Sequence, residues 1–339
     1  YRSMFKKLKK ILNSLFGKSK KNSTTVWGRL TVVFGISLIV FMVVNRFLED
    51  RNREGMVNRN GKYETKKNNE IWDKEYCELY DELVFDSQRT EFEAKEIIGA
   101  TKLNRSSKLL DAGSGTGTLL KKIKNKVGAS EGVDKSKYMC EIAKKRNPEL
   151  RITNDDFTNP QTYNPDEFTH ITCLYFTIYY LPPDKRRRAF QNFYNWLKPG
   201  GYLIIHLVNR NKFDPLLNQS DPLHGVSAQT AASKQGKRLV ESMVTMKEGD
   251  PISKYKAKFI MDQIKNGTAN FKETIIRRDK SIRINEHALY MDTRKDIIRE
   301  AMSAGFINDG NAKMENVKKI DMISCQYEYQ YLYILKKPM

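Results

Sequence analysis

Several residue types that build metal and disulfide sites are scarce in this chain of 339 residues. It has only four cysteines, Cys77, Cys140, Cys173 and Cys325, and only four histidines. Four widely spaced cysteines exclude a disulfide-stabilised scaffold, and the lack of a Cys-x-x-Cys pair argues against structural zinc, so we expect no metal site. Apolar residues make up 40% of the chain, enough for a full core, which excludes global disorder.

Acidic residues are also under-represented, with 40 Asp and Glu against 60 Lys and Arg and a net charge of +20. This balance first suggests a nucleic-acid partner. However, residues 1–70 hold 16 of the basic residues and only 5 of the acidic ones, so more than half of the excess lies in the first fifth of the chain. Nucleic acid stays possible but is not favoured, because no basic-aromatic module marks it.

Long apolar runs are absent except for one, which extends from Trp27 to Val44 and contains a single charge, Arg29. Eighteen helical residues span roughly 27 Å, close to the ~30 Å hydrocarbon core of a bilayer. Charged flanks argue against a buried core helix, and no small-residue cleavage site supports a signal peptide. We therefore predict a single transmembrane helix over residues 26–47.

The segments on either side of this helix differ in character. Residues 1–25 have a basic amphipathic pattern, which suits either an anionic lipid surface or a solvated tail. Membrane lipid is therefore the expected partner of residues 1–47. Residues 48–70 are polar and predict a linker. Equal numbers of Lys and Arg within 20 residues on each side leave the orientation in the membrane open.

Residues 71–339 alternate predicted strands and helices, which predicts an α/β fold with a doubly wound, mostly parallel sheet. The predicted strands end in an acid and a glycine loop (Asp111–Gly117), in Asp134, and in Asn154-Asp155-Asp156-Phe157. Ligands bind at the carboxyl ends of such strands. The sequence therefore predicts a binding site formed by these three strand ends.

The glycine loop has glycines at positions 113, 115 and 117, which let the backbone turn tightly and approach a ligand. A dinucleotide fingerprint needs G-x-G-x-x-G, but here Thr118 stands at the third glycine position. Asp134 after the next strand can accept both hydroxyls of a ribose. The loop therefore predicts a cofactor that contains a nucleoside, with an NAD(P)-dependent oxidoreductase as one alternative.

Four segments in order, LLDAGSGTGTLLKKI, EGVDKSKYMCEIA, NDDF and LKPGGYLIIHLV, resemble the motifs of class I S-adenosylmethionine-dependent methyltransferases, most closely those of types 11 and 25. The resemblance covers roughly residues 75–210 and the last 50. It implies a seven-stranded Rossmann-like sheet, whose antiparallel last strand we place in Cys325–Leu335, and S-adenosylmethionine as cofactor. One departure is Phe168-Thr169, where the family often has Phe-Asp.

The resemblance also implies roles for matching residues. The methionine end of the cofactor would lie near Asp111 and the loop Gly113, Ser114, Gly115, Thr116 and Gly117. Asp134 would bind the ribose hydroxyls, while Met139, Asp156 and Phe157 would contact the adenine, with Asp155 as the fallback for Asp156. Leu174 and Tyr175 would line the methyl-transfer site.

The methyl acceptor is left open by the sequence. Residues 209–291 form an insertion that predicts a small β-rich lid over the substrate, with residues 218–237 expected to be mobile. The candidates for a catalytic residue are His206, Tyr175 and Tyr80, and His170, His224 and His287 are each expected to be structural. Leu181-Pro182-Pro183-Asp184 only superficially resembles the motif of base-amino methyltransferases.

These observations predict a membrane-anchored, single-pass methyltransferase that uses S-adenosylmethionine and acts on a small-molecule, lipid or protein acceptor. The cofactor pool is mainly cytosolic, so we expect residues 71–339 to be a cytosolic catalytic domain. The alternatives are a non-catalytic membrane adaptor on a methyltransferase fold and the oxidoreductase.

Overall fold

The computed structural model describes residues 63–84, 87–213, 227–234, 237–246, 248–262, 267–307 and 317–339, and the single residue Gly35. Apart from Gly35, the predicted amphipathic segment 1–25 and transmembrane helix 26–47 lie outside the described residues. Within those ranges, no helix is both long and apolar enough to cross a membrane.

Strands and helices alternate through most of the described chain. The helices are α1 (Lys74–Val84), α2 (Ser87–Thr101), α3 (Thr118–Ile123), α4 (Lys137–Arg146), α5 (Pro183–Trp196) and α6 (Arg294–Ser303). The strands are β1 (Tyr63–Lys67), β2 (Lys108–Ala112), β3 (Ala129–Asp134), β4 (Arg151–Asn154), β5 (Phe168–Cys173), β6 (Leu197–Val208), β7 (Ser227–Lys234), β8 (Lys237–Thr245), β9 (Ile252–Asp262), β10 (Thr268–Arg277), β11 (Ile282–Tyr290), β12 (Lys318–Asp321) and β13 (Gln330–Lys336).

The first sheet has seven strands in the order β12-β13-β6-β5-β2-β3-β4. Its pairs β2–β3, β2–β5, β3–β4 and β5–β6 are parallel, while β13 runs antiparallel to both β6 and β12. The strand order reverses beside β2, so the carboxyl ends of β2 and β5 border a crevice where ligands of open α/β sheets bind. This topology confirms the predicted seven-stranded, mostly parallel sheet.

Both faces of this sheet are covered, as its sequence pattern requires. Neighbouring residues such as Leu109 and Leu110, or Ile204 and Ile205, belong to two different apolar clusters because successive side chains point to opposite faces. All four side chains are fully buried. Strands that are apolar on both faces are typical of doubly wound sheets.

Local signals set several helix ends. Pro183 occupies the first turn of α5, where its missing N–H costs no hydrogen bond. The Thr293 side chain caps α6 by accepting a hydrogen bond from the Asp296 N–H at 3.2 Å. Gly305 follows α6 with a φ of +110°, a conformation that suits glycine.

The insertion contributes a second sheet, in the order β1-β11-β10-β9-β8-β7. Its β-rich character agrees with the prediction, and five of the six strands, β7 to β11, come from the insertion, while the sixth is β1. Residues 227–234, expected to be mobile, pair with β8. Tyr63–Lys67, expected to be part of a linker, pairs with β11 in parallel. Both are edge strands that are held by backbone hydrogen bonds, so their polar side chains did not indicate a strand in the sequence.

The C-terminal strand is shorter than predicted. It begins at Gln330, because Ile323–Cys325 forms a 3-10 turn and Gln326 and Tyr329 have φ of +68° and +61°. Residues in that conformation cannot continue a strand. The predicted strand Cys325–Leu335 is therefore confirmed in its C-terminal part and begins five residues too early.

Candidate active site

A cavity of about 720 Å³ lies at the carboxyl ends of β2, β3 and β4 and extends to the second sheet. One end is bordered by Gly113, Asp134 and Asp156, and the other by residues of α1, β9, β10 and β11. This volume falls within the ~300–1,000 Å³ typical of small-molecule sites. The cavity therefore joins the predicted cofactor region to the predicted lid.

The glycine loop is fixed by hydrogen bonds between β2 and β3. The N–H groups of Gly113 and Ser114 donate to the Val133 carbonyl at 2.8 and 3.1 Å. Gly113 has a φ of +76°, and a Cβ placed there would lie 2.4 Å from Cγ2 of Thr177. Any larger residue would push the loop away from the turn that follows β5, so glycine is required here.

Asp111 is buried beside this loop, with 5% of its surface exposed, and it is absent from the cavity wall. The Thr172 hydroxyl donates to its Oδ1 at 2.7 Å. Burial raises the pKa of Asp111 to about 7, and the nearby acids Glu93 and Asp134 add to the effect. Because this pKa is near neutral, a cation placed close by would favour the ionised form.

Asp134 ends β3 and lies on the cavity wall. Its carboxylate accepts hydrogen bonds from the Gly115 N–H at 2.9 Å and the Ser136 N–H at 2.8 Å. Burial raises the pKa of Asp134, although these two hydrogen bonds oppose the shift. The carboxylate is thus held in one orientation and keeps further lone pairs for ligand hydroxyls.

The two adjacent acids after β4 have different surroundings. Asp156 lies on the cavity wall, whereas Asp155 is absent from it. Asp155 Oδ2 accepts a hydrogen bond from the Thr162 hydroxyl at 2.9 Å, which closes the loop after β4. Burial alone would raise the pKa of Asp156, but Thr158 and Lys135 outweigh it and lower that pKa. The placement favours Asp156 as the ligand-binding acid and Asp155 as a loop residue.

Tyr175 follows β5 with a φ of +51° and also lies on the wall. The guanidinium of Arg89 stacks on its ring at 4.0 Å from the centroid, and its hydroxyl bonds Thr90 Oγ1 at 3.0 Å. Burial raises the pKa of Tyr175 well above 10. It therefore stays neutral and is positioned as a wall residue rather than as a base.

His206 is fully buried and does not line the cavity. Its Nδ1 lies 3.0 Å from the Tyr175 carbonyl oxygen. Burial and then the charge of Arg89 lower its pKa to about 3, so the imidazole is neutral and a very weak base. The structure therefore argues against His206 as the catalytic base. Tyr80, the third candidate for a catalytic residue, lies on the cavity wall.

Sequence reasoning missed Arg89, which lines the cavity and is only 4% exposed. Its Nε donates to Oε1 of the fully buried Glu93 at 2.9 Å, one turn along α2. An Arg and a Glu four residues apart are common on exposed helix faces, so the spacing alone gave no signal. A buried cation at the wall can pair with a ligand carboxylate.

The other end of the cavity is aromatic. Trp72 contacts four rings in edge-to-face geometry, those of Tyr76, Tyr80, Tyr180 and His287, at centroid distances of 5.6 to 5.9 Å. All of these side chains and Phe271 line the cavity. Of these residues, only Tyr80 was singled out from the sequence as a candidate for a catalytic residue.

A buried polar network lies behind these rings. Nε2 of His287 is 2.7 Å from Oε2 of Glu273, and Nδ1 of His287 is 3.0 Å from the Tyr180 hydroxyl. The Tyr255 hydroxyl donates to Oε1 of Glu273 at 2.6 Å. His287 was expected to be structural, and Glu273 was not singled out, because the partners are far apart in the sequence. His224 lies outside the described residues.

The N-terminal part of the site is attached to the insertion by Arg283, which is fully buried. Its Nη1 lies 2.9 Å from both carboxylate oxygens of Asp73, and its Nη2 donates to the Ile71 carbonyl at 2.8 Å. Paired and hydrogen-bonded charges of this kind are costly to break. The bridge therefore positions Trp72 and α1 against β11.

The predicted cofactor residues divide into two groups. Gly113, Gly115, Asp134, Met139, Asp156, Phe157 and Tyr175 line the cavity. Asp111, Ser114, Thr116, Gly117, Asp155 and Leu174 do not, and they pack behind the wall or fix the loops. Among the described residues, no cluster of three or more His, Cys, Asp or Glu could hold a metal ion.

The chemistry of the wall fits S-adenosylmethionine. Carboxylates at successive strand ends suit ribose hydroxyls and an adenine amino group, and the guanidinium of Arg89 suits a carboxylate. Ser114 Oγ is buried with no hydrogen-bond partner in the described structure. The class that this fold and site define is the class I S-adenosylmethionine-dependent methyltransferases.

Comparisons with known proteins support this class. Residues 109–201 match the family model of a methyltransferase domain. A dTDP-4-amino-2,3,4,6-tetradeoxy-D-glucose N,N-dimethyltransferase of Saccharopolyspora spinosa is 35% identical over 116 residues, which are 33% of this chain and 46% of that protein. A phosphoethanolamine N-methyltransferase of Plasmodium falciparum is 32% identical over 116 residues, 33% of this chain and 42% of that protein.

Solved structures show the same fold. A methyltransferase from Clostridium acetobutylicum superposes with a TM-score of 0.52 at 16% identity and covers 78% of this chain and 98% of its own. The chain spans about half the length of the curated relatives that it matches. It contains a class I S-adenosylmethionine-dependent methyltransferase domain, which disfavours the oxidoreductase alternative.

Proposed function

We propose that the protein transfers a methyl group from S-adenosylmethionine to the nitrogen of a small-molecule amine. The observation that carries the proposal is the single cavity that joins the cofactor-binding strand ends to an aromatic chamber. Both curated relatives described above are named as N-methyltransferases of small molecules. Their names support a nitrogen acceptor.

The aromatic chamber provides an independent argument for an amine. The faces of Trp, Tyr and Phe attract ammonium cations, each contact contributing on the order of 0.5–2 kcal/mol. Trp72, Tyr76, Tyr80, Tyr180 and Phe271 surround one end of the cavity. Such walls favour a cationic amine over a carboxylic acid, which would lie against the negative faces of the rings.

The residues of the chain act mainly by binding and orientation. The bound cofactor supplies an electrophilic methyl group on a sulfonium. Asp134 and Asp156 would hold the ribose and adenine, and Arg89 the carboxylate. Tyr175 and Thr177, which follow β5 and line the cavity, would border the space between the two substrates. Alignment of this kind accounts for much of the rate enhancement in a two-substrate transfer.

A turnover assay tests the proposal. The full chain is incubated with S-adenosylmethionine and, separately, phosphoethanolamine, ethanolamine, a dTDP-4-amino sugar, a phenol, a carboxylic acid and phosphatidylethanolamine vesicles. We expect S-adenosylhomocysteine to form with a soluble amine and not in an Asp134→Asn control. Methylation of only the phenol, the acid or the vesicle lipid would contradict the proposal. Methylation of none of the compounds would also contradict it and would favour a non-catalytic adaptor.

We also propose that residues 26–47 anchor the protein in a membrane with the catalytic domain on the cytosolic side. The apolar composition and charged flanks of this segment support the proposal. The full chain should remain in membranes after alkaline carbonate extraction, and a Leu38→Arg, Val40→Arg variant should be released. Extraction of the unmodified chain, or protection of residues 71–339 from protease in sealed vesicles with the cytosolic face outward, would contradict it.

A further inference from the structure

We propose that Tyr180, His287 and Glu273 form a proton relay that removes the proton from the acceptor amine. The three groups are linked in series, from the Tyr180 hydroxyl to His287 Nδ1 at 3.0 Å and from His287 Nε2 to Glu273 Oε2 at 2.7 Å. Tyr180 and His287 line the cavity, while Glu273 is fully buried behind them. This inference rests on the proposed amine methylation.

The hydrogen bonds determine the direction of the relay. Glu273 Oε1 accepts from the Tyr255 hydroxyl at 2.6 Å, and Oε2 also accepts from Asn285 Nδ2 at 3.1 Å. Burial would raise the pKa of Glu273, but the positive charge that His287 carries when protonated and the hydrogen bonds from His287, Tyr255 and Tyr76 outweigh it and lower that pKa. An ionised carboxylate only accepts, so His287 Nε2 donates to it, and in the neutral imidazole Nδ1 is left to accept the Tyr180 proton.

A base is needed because an alkyl amine is protonated at neutral pH. With a pKa near 10.4, only on the order of one molecule in 10³ carries a free lone pair at pH 7. The ammonium proton passes to Tyr180 Oη while the Tyr180 proton passes to His287 Nδ1. The nitrogen lone pair then forms the N–C bond as the C–S bond breaks, and the electron pair of that bond goes to sulfur. After the product leaves, the proton returns from His287 Nδ1 through the Tyr180 hydroxyl to water in the cavity.

The groups around His287 are consistent with this role. The titratable side chains in contact with it come from β10, the turn after β5 and α1, namely Glu273, Tyr180 and Tyr76, while Tyr255 of β9 contacts Glu273 and Tyr80 lines the same cavity. Burial raises the pKa of each tyrosine well above 10. They remain neutral, so the imidazole is the group that gains the proton and Glu273 is the charge that stabilises it.

The first test compares pH profiles of kcat/KM for the best amine from the turnover panel. We expect Tyr180→Phe and His287→Gln each to lower kcat/KM by about 10²-fold at pH 7, as for loss of general base catalysis. The double variant should be no worse than either single one. The deficit should shrink as pH rises toward the pKa of the amine, because more of the amine is then already deprotonated.

Matched variants separate the relay from damage to the fold. His170→Gln changes another buried histidine, which stacks on Tyr202 away from the cavity, and should leave kcat/KM unchanged. Glu273→Gln should move the apparent pKa of the profile downward, because the imidazolium loses its counter-charge. S-adenosylhomocysteine affinity should be unaffected in every variant. A loss that does not depend on pH, or no loss in His287→Gln, would overturn the relay.

A second measurement does not depend on turnover. Long-range proton–nitrogen NMR of the full chain labelled at histidine nitrogens should show His287, assigned by its loss in His287→Gln, as the neutral Nε2–H tautomer. An Nδ1–H tautomer or a permanent imidazolium would overturn the relay. If the protein methylates no amine, the proposed function fails. If it methylates an amine but Tyr180→Phe and His287→Gln keep the same kcat/KM as His170→Gln, the relay fails and the proposed function stands.

Discussion

Replacing Asp111 with asparagine should make the ligand-free protein more stable. Asp111 is 5% exposed, and burial raises its pKa from an ordinary 3.8 to about 7. A carboxyl group whose folded-state pKa is raised contributes full stability below pH 4 and loses it as the pH rises to 7. Asparagine has no charge to lose and can still accept the hydrogen bond from Thr172.

The magnitude follows from the difference in pKa. Each pH unit between the two pKa values is equivalent to about 1.4 kcal/mol, so the cost of ionising Asp111 reaches about 4 kcal/mol at pH 7 and above. We expect the free energy of unfolding of Asp111→Asn to exceed that of the unmodified chain by about 1–4 kcal/mol at pH 8. The difference should fall steadily from pH 7 to pH 5 and vanish near pH 4.

Urea unfolding of the full chain, followed by intrinsic fluorescence, measures this difference. Asp321→Asn is a matched control, because Asp321 also accepts a hydrogen bond, in its case from the Ile323 N–H at 3.2 Å, but is exposed. The control should not reproduce the gain that depends on pH. An equal or lower stability of Asp111→Asn at pH 8, or a gain of constant size from pH 5 to 8, would refute the reasoning.

Three further predictions concern the loop, the buried ion pair and the adenine end. Gly113→Ala should destabilise the fold by about 1–3 kcal/mol in urea unfolding, because Gly113 has a φ of +76° and the added Cβ would clash with Thr177. Its control, Gly99→Ala, adds a Cβ in open space on a helix and should stabilise the fold by up to about 1 kcal/mol. Arg89→Met alone should lower the free energy of unfolding by about 3–5 kcal/mol, because it leaves Glu93 buried without the charge of Arg89. Adding Glu93→Gln to this variant should restore the stability, but calorimetry should show that the affinity for S-adenosylmethionine stays low. Asp156→Asn should weaken that affinity about tenfold with little change in thermal stability. Reversal of the two glycine effects, recovery of affinity in the double variant, or unchanged binding by Asp156→Asn would each contradict the corresponding argument.

The parts of the fold that sequence reasoning found share a local cause. Strands such as β2 and β3 are short apolar runs that end in an acid or a glycine loop, and this pattern lies within a few residues. The order of these motifs was enough to predict the parallel sheet and to bring Gly113, Asp134 and Asp156 to one cavity. The sequence could not show that Asp156 lines the cavity while Asp155 fixes the loop, because both acids follow the same strand.

The acceptor end could not be predicted for a different reason. The contacts of His287 with Glu273 and Tyr180 depend on the register of β10 with β11 and on the packing of that sheet against the turn after β5. The residues in these contacts are too far apart in the sequence for a local pattern to indicate that they meet. The edge strand β1 was missed because its partner, β11, is more than 200 residues away and its own side chains are half exposed.

Binding of S-adenosylhomocysteine to the full chain, measured by titration calorimetry beside NADH, tests the central claim most directly. We predict one-to-one binding of S-adenosylhomocysteine that weakens by about tenfold or more in Asp134→Asn, because that carboxylate lies on the cavity wall between the two fixed N–H groups. NADH should bind much more weakly. No binding of S-adenosylhomocysteine, affinity unchanged by Asp134→Asn, or tighter binding of NADH would contradict the account.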